Sequence, residues 1–136
     1  MSRLATVFVS LILISFAFSA NPAVGANPKP FVVPELRQWT GAKGSFTPNP
    51  TNTAITVADS SLLKIAGAFA DDYKAMFGTA LPVKVGKSAK GNFHFALKAD
   101  KKLGNEGYSI EISDRVTVTA PEKTGAFWAT RTLLQI

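Results

Sequence analysis

An α+β fold, with a mainly antiparallel sheet and two helices packed on one face, is what this 136-residue sequence predicts. Three observations point to it. Apolar residues alternate with polar ones in two stretches, 93–98 and 108–120, the period of a strand with one wet face. Between residues 62 and 76 the period changes to three and four, the spacing of a helix with one apolar stripe. The order along the chain is strands, helix, strands, helix, which is how helices come to lie together over a sheet.

The segments follow in turn. Asn27-Pro28-Lys29-Pro30 is an extended lead-in stiffened by its prolines. Residues 35–39 predict a short edge strand behind Pro34, residues 45–47 a second short strand, and residues 54–58 a third. Asp59 or Ser60 caps the helix that follows by accepting a bond from a free N–H of its first turn. Leu62, Ile65, Ala66, Phe69, Tyr73 and Met76 form its stripe, Lys64, Asp71, Asp72 and Lys74 fall mostly off it, and Gly78 stops it. Residues 81–85 carry Pro82 and read as an edge. Phe93, Phe95 and Leu97 face one way and His94, Ala96 and Lys98 the other. Tyr108, Ile110 and Ile112 alternate with Ser109 and Glu111, and a tight join at Ser113-Asp114-Arg115 leads into Val116, Val118 and Ala120 as a hairpin. A last helix starts at residues 122–125, with Phe127, Leu133, Leu134 and Ile136 sharing an apolar face with Ala126 and Thr130. No Gly, Pro or basic cluster ends it, so a cut inside a longer protein is expected.

Composition narrows the function. There is no cysteine, hence no disulfide, thiolate chemistry or Cys-based zinc site. Hydrophobic residues at 46% and charged residues at 18% are globular values. Arg3 followed by the uncharged apolar run 4–20 and the small residues Val24-Gly25-Ala26 reads as a secretory signal peptide, residues 1–26, cleaved after Ala26. As a helix that run spans only about 25 Å, short of the roughly 30 Å hydrocarbon core. Membrane contact is therefore expected only through an uncleaved signal. The mature part, 27–136, is expected outside the cytoplasm, in a periplasm or beyond the cell.

Candidate chemistry fails residue by residue. His94 is the single imidazole, too few for a His-rich metal site, and it is expected on the polar face of its strand. Asp71 and Asp72 are an adjacent acidic pair, and glycosidases do use two carboxylates. Helix neighbours point about 100° apart, however, and both read as solvated. Gly86-Lys87-Ser88 lacks the first glycine of a phosphate loop, since Leu81 stands there. Lys84, Lys87, Lys90, Lys98, Lys101 and Lys102 make a basic stretch without aromatic interleaving, which reads as a soluble surface with at most weak attraction for an acidic polysaccharide, not as a nucleic-acid interface. Trp39 and Trp128 suit packing more than sugar stacking. No catalytic, cofactor-binding or metal-binding residue is assigned.

Three runs then carry a resemblance: Glu106-Gly107-Tyr108-Ser109-Ile110-Glu111-Ile112, Val116-Thr117-Val118-Thr119-Ala120, and Thr124-Gly125-Ala126-Phe127-Trp128-Ala129-Thr130-Arg131-Thr132-Leu133-Leu134-Gln135. They resemble glycoside hydrolase family 20, the β-N-acetylhexosaminidases, in the pattern E-G-Y-x-[LI]-x-[VI] followed by G-x-[FW]-[YW]-[AG]-x-[QR]-T-L-x-Q. The resemblance implies the family's N-terminal non-catalytic domain, zincin-like in fold but without the zinc motif. It also implies a following (β/α)₈ barrel, on which this domain packs. There an adjacent Asp-Glu pair, with the substrate's own 2-acetamido group, removes terminal N-acetylhexosamine from a glycan with retention. Asp71-Asp72 does not match that pair, so no residue here inherits a catalytic role and the chain alone is expected to be inactive. The competing readings are a free-standing carbohydrate-binding module and the equivalent domain of another glycosidase family.

Overall fold

The structure is a computed structural model, and it describes residues 26–136. The signal segment lies outside the described residues, apart from Ala26. Five strands and two helices follow one another: β1 (Ile55–Val57), a 3-10 turn (Ser60–Leu62) leading into α1 (Leu63–Phe77), β2 (Val83–Val85), β3 (Phe93–Leu97), β4 (Ser109–Ile112), β5 (Val116–Ala120) and α2 (Lys123–Leu133).

The sheet order is β2-β1-β3-β5-β4. β1 runs parallel to both β2 and β3, β3 runs parallel to β5, and only β4 with β5 is antiparallel. The expected mainly antiparallel sheet is thus corrected to a mostly parallel one. The reason is connectivity. α1 is a crossover that returns the chain to begin β2 at the same end as β1, as a parallel pair requires. The β4–β5 hairpin forms as expected, closed by Ser113 N–H donating to Arg115 O at 2.8 Å, but β5 slots between β3 and β4. Alternation along a strand reports that one face is drier than the other; it carries no record of the neighbour's direction.

Residues 35–39 and 45–47, expected as strands, are irregular. They form an exposed strap tied by local bonds instead: Asn27 N–H donates to Ala42 O at 2.9 Å, Asn27 Nδ2 to Gly44 O at 2.6 Å, and the Trp39 indole to Asn27 O at 3.2 Å.

One face of the sheet carries the rows Val83–Ile55–Phe93–Val116–Ile112 and Val85–Val57–Phe95–Val118–Ile110. Both helices lie over this face. α1 brings Leu62, Ala66 and Phe69, and the Phe69 ring meets Phe93, Phe95 and Tyr73 edge-on at centroid distances of 5.4, 5.7 and 6.0 Å. Asp59 Oδ1 accepts from Ser61 N–H at 2.7 Å as the expected cap, and Gly78, with φ of 74°, ends the helix in the left-handed region. Met76, assigned to the stripe, is exposed, because the helix runs past the edge of the sheet there.

α2 packs by a different rule. It buries Gly125, Ala126, Ala129, Thr130 and Thr132, which are small, and turns Phe127 and Trp128 outward. Phe127, expected to share one face with Ala126 and Thr130, is instead 37% exposed while those two are buried. A Cβ on Gly125 would stand 2.2 Å from Gly107 O and 3.1 Å from Ala120 Cβ. The helix therefore touches the backbone before β4 directly at Gly125, where no side chain fits beneath it, while Leu133 and Leu134 pack against the core near its end. Tyr108 OH bonds Thr132 Oγ1 near the helix end. The Glu106-Gly107-Tyr108 run and the Gly125 helix are thus two halves of one joint.

The end of α2, expected to be unclosed, has a cap that helix-stop signals do not reveal. Gln135 Nε2 donates to Arg131 O at 3.0 Å and to Val33 O at 3.1 Å, while its Oε1 accepts from Val33 N–H at 2.9 Å. One amide satisfies a late helix carbonyl and clips the strap to the helix.

Gly125→Ala is expected to lower stability by about 1–3 kcal/mol, the usual cost of overpacking a closed contact. Gly67→Ala, in α1 with open space where the Cβ would go, should raise it by about 0.5–1 kcal/mol. Urea unfolding of the two variants beside the parent chain measures both; equal effects would contradict the joint.

Candidate functional site

The residues singled out in the sequence do not converge. His94 lies in the middle of the sheet face opposite the helices, in the row Lys84–Thr56–His94–Thr117–Glu111. It is on that face as expected, yet only 7% exposed, because it sits in a central strand between neighbours on both sides. Thr56 Oγ1 lies 2.8 Å from His94 Nδ1 and 3.2 Å from Phe93 O. The carbonyl can only accept. When Thr56 spends its single proton there, Nδ1–H donates to Thr56, and the ring is neutral with its lone pair on Nε2. Burial pushes the imidazole pKa below its ordinary value. This is a packed histidine whose Nδ1 is taken by Thr56, and among the described residues no carboxylate bonds to its ring.

Asp71 and Asp72 part company. Asp71 is exposed, whereas Asp72 Oδ2 accepts from Arg131 Nη1 at 2.7 Å and joins α1 to α2. Both were expected on the solvated side of the helix; Asp72 keeps a side chain 46% exposed while also pairing with α2. Arg131 also donates from Nε to Thr130 Oγ1 at 3.0 Å and lies 5.0 Å above the Phe127 ring. Its Nη2 is buried without a partner, alone in this among side-chain polar atoms of the described residues. Both side chains of the pair are partly exposed, so it is worth about 0.2–1 kcal/mol; its larger effect is to fix the two helices in register.

The outer face of α2 is where exposed apolar side chains gather. Phe127 and Trp128 are 37% and 42% exposed, with ring centroids 5.3 Å apart, and Ile136 follows on the same helix end. Val33, exposed on the strap, is held to this end by Gln135. Trp39 sits elsewhere, in the strap. Sequence reasoning assigns Trp128 to packing and groups Phe127 with Ala126 and Thr130; Gly125 and Ala129, marking the close-packed side, are the signal that separates the two rings from the buried side. Among the described residues no group of three or more His, Cys, Asp or Glu side chains is placed to hold a metal ion, and no helix is long and apolar enough to cross a membrane.

The burial of His94 fixes a pH dependence. The native state resists protonation while the unfolded chain protonates near pH 6.5, so its contribution is complete above that value and is lost as the pH falls below it, levelling off below the native pKa. Urea midpoints should drop from pH 7.5 to 5.5, and the drop should be smaller in His94→Gln.

Residues 29–136 match the family model described as glycosyl hydrolase family 20, domain 2. No curated protein matches the chain. Among solved structures, the GH20 β-N-acetylhexosaminidase from Streptomyces coelicolor A3(2) is 28% identical, with 61% of this chain and 17% of that one covered and a TM-score of 0.47. The N-acetyl-β-hexosaminidase of Streptomyces plicatus is 26% identical over 60% of this chain and 16% of its own, with a TM-score of 0.46. The Flavobacterium johnsoniae chitobiase is 20% identical over 69% and 16%, with a TM-score of 0.51, and shares the fold. This chain spans 16–17% of those structures. With a family model matched from residue 29 to residue 136, the chain belongs to glycosyl hydrolase family 20, as its domain 2.

Proposed function

We propose that this chain is the non-catalytic N-terminal domain of an exported exo-β-N-acetylhexosaminidase, and that the outer face of α2 packs against the enzyme's catalytic barrel. The observation that carries the reading is the outward pair Phe127–Trp128 on a helix whose other side is closed by glycine and alanine. Two aromatic rings held outward by backbone contact are shaped for a second surface. The family supports the assignment to a glycoside hydrolase.

On this reading the domain contributes no atom to hydrolysis. The parent enzyme removes terminal N-acetylhexosamine by the substrate-assisted retaining route, with both carboxylates on the barrel. The domain's part is to bury the barrel's flank and be buried by it. Covering Phe127 and Trp128 removes apolar surface from water at about 25 cal/mol per Å².

Two outcomes test the proposal. The chain by itself should show no turnover of a chromogenic N-acetylglucosaminide, whereas the same chain expressed with its downstream reading frame should be active; an inactive longer product, or activity in the short one, contradicts it. The chain alone should also self-associate at high concentration through the uncovered rings, and Phe127→Ser with Trp128→Ser should restore a monomer by light scattering.

A further inference from the structure

The sheet face turned away from the helices holds a recess that the docking reading does not use. It is about 250 Å³ in volume and is lined by Lys98, Ala99, Asp100, Leu103, Ser109 and Thr119. Ser109 and Thr119 are directly paired across β4 and β5, on the face opposite Val118 and Ala120. Lys98 follows the last residue of β3, its N–H donating to Ala120 O at 2.8 Å. Three strands thus converge on one hollow.

Its polar groups are unspent. The hydroxyls of Thr53, Thr56, Thr130 and Thr132 all have protein partners; among the described residues those of Ser109 and Thr119 have none. The three ion pairs of the described residues are Lys29–Glu35, Arg115–Asp114 and Arg131–Asp72, so the Lys98 ammonium is uncommitted. Asp100 is partly committed: Oδ1 accepts from Lys102 N–H at 2.9 Å, which pins the turn and leaves Oδ2 as an acceptor. A cation, an acceptor, two hydroxyls and the apolar flank of Leu103 suit a ligand that is anionic at one end, hydroxylated along its edge and apolar on one ring face.

We propose that this recess binds one carboxylated sugar unit, a uronate, within an acidic glycan. Lys98 takes the carboxylate through a charge-assisted hydrogen bond. Ser109 and Thr119 exchange hydrogen bonds with ring hydroxyls, and Asp100 accepts from a hydroxyl while repelling the carboxylate, which sets the orientation. Lys101 and Lys102, in the same turn, add positive potential that draws a polyanion toward the recess. The volume falls below the roughly 300 Å³ at which drug-sized pockets begin, so a single ring is the fitting unit. Because the face lies opposite α2, this site stays open when the helix is docked, and the proposal does not depend on the docking reading.

The test is an amide chemical-shift titration of the chain at physiological salt with a tetrasaccharide of alternating glucuronate and N-acetylglucosamine, beside neutral chitotetraose. Saturating shifts centred on Lys98, Asp100, Ser109 and Thr119 are expected for the acidic ligand. The neutral sugar should bind the parent chain, and the acidic sugar the Lys98→Met variant, about ten-fold more weakly, the loss of one charged hydrogen bond. Thr119→Val should also weaken the acidic ligand, whereas Lys64→Met, on α1 across the sheet from the recess, should keep near-parent affinity. Non-saturating shifts spread over all the lysines, or equal binding of both sugars, would overturn it; unchanged shifts elsewhere show that each variant is folded.

Discussion

The contact of Gly125 with the Gly107 carbonyl decides how α2 can sit, and much else follows from it. With a would-be Cβ only 2.2 Å from that oxygen, helix and sheet meet backbone to backbone. The buried side of α2 is consequently built from Ala126, Ala129 and Thr130, each at most 1% exposed. A helix seated that deep at Gly125 has no room for an aromatic ring there, so Phe127 and Trp128 turn outward, while Leu133 and Leu134 near its end still pack against the core. In most amphipathic helices the bulky side chains face the core; in the first half of α2 the small ones do.

Polar links then hold the seat in place without carrying much energy. Arg131–Asp72 ties α2 to α1, Tyr108–Thr132 ties it to the segment before β4, and the Gln135 amide ties it to the strap at Val33. Each is partly exposed or local, and exposed ion pairs are worth under about 1 kcal/mol. Their effect is directional: together they remove the rotation of α2 that would let Phe127 or Trp128 slip under the helix. Most of the apolar stabilisation comes from elsewhere, from Phe69 at 1% exposure against Phe93 and Phe95 and from Ile55, Val57 and Val118, each at 0%.

Much of this is legible in the sequence. The α1 stripe from Leu62 to Tyr73, its Asp59 cap and Gly78 stop, the β3 alternation and the β4–β5 hairpin are local signals, and local periodicity records them. Strand direction is not legible, because β1 and β3 pair across the whole of α1 and β2, and nothing in the pattern of Phe93 or Ile55 names a partner. The strap reads as two strands because its residues around Pro34 and Pro48 favour extended backbone, but they satisfy that backbone through Asn27, Trp39 and Gln135. Phe127 is misplaced when hydrophobicity is counted and size is not; the small residues at 125, 126 and 129 are the stronger cue. The roles of Asp72 and Gln135 depend on which element lies alongside, and linear order does not contain that.

The motif that carries the family resemblance has a physical explanation that does not involve catalysis. Gly125 allows the contact with the Gly107 carbonyl, Gly107 makes room for the Leu103 backbone, Tyr108 and Thr132 share a hydrogen bond, Arg131 reaches Asp72, and Gln135 closes the helix. Phe127 and Trp128 are left over, the two members that do nothing for the domain's own core. A run whose specificity resembles that of an active site is here a seating device plus an outward pair. In a domain with a buried histidine bonded to Thr56 and no convergent carboxylates among its described residues, specificity of sequence in this run is specificity of helix placement.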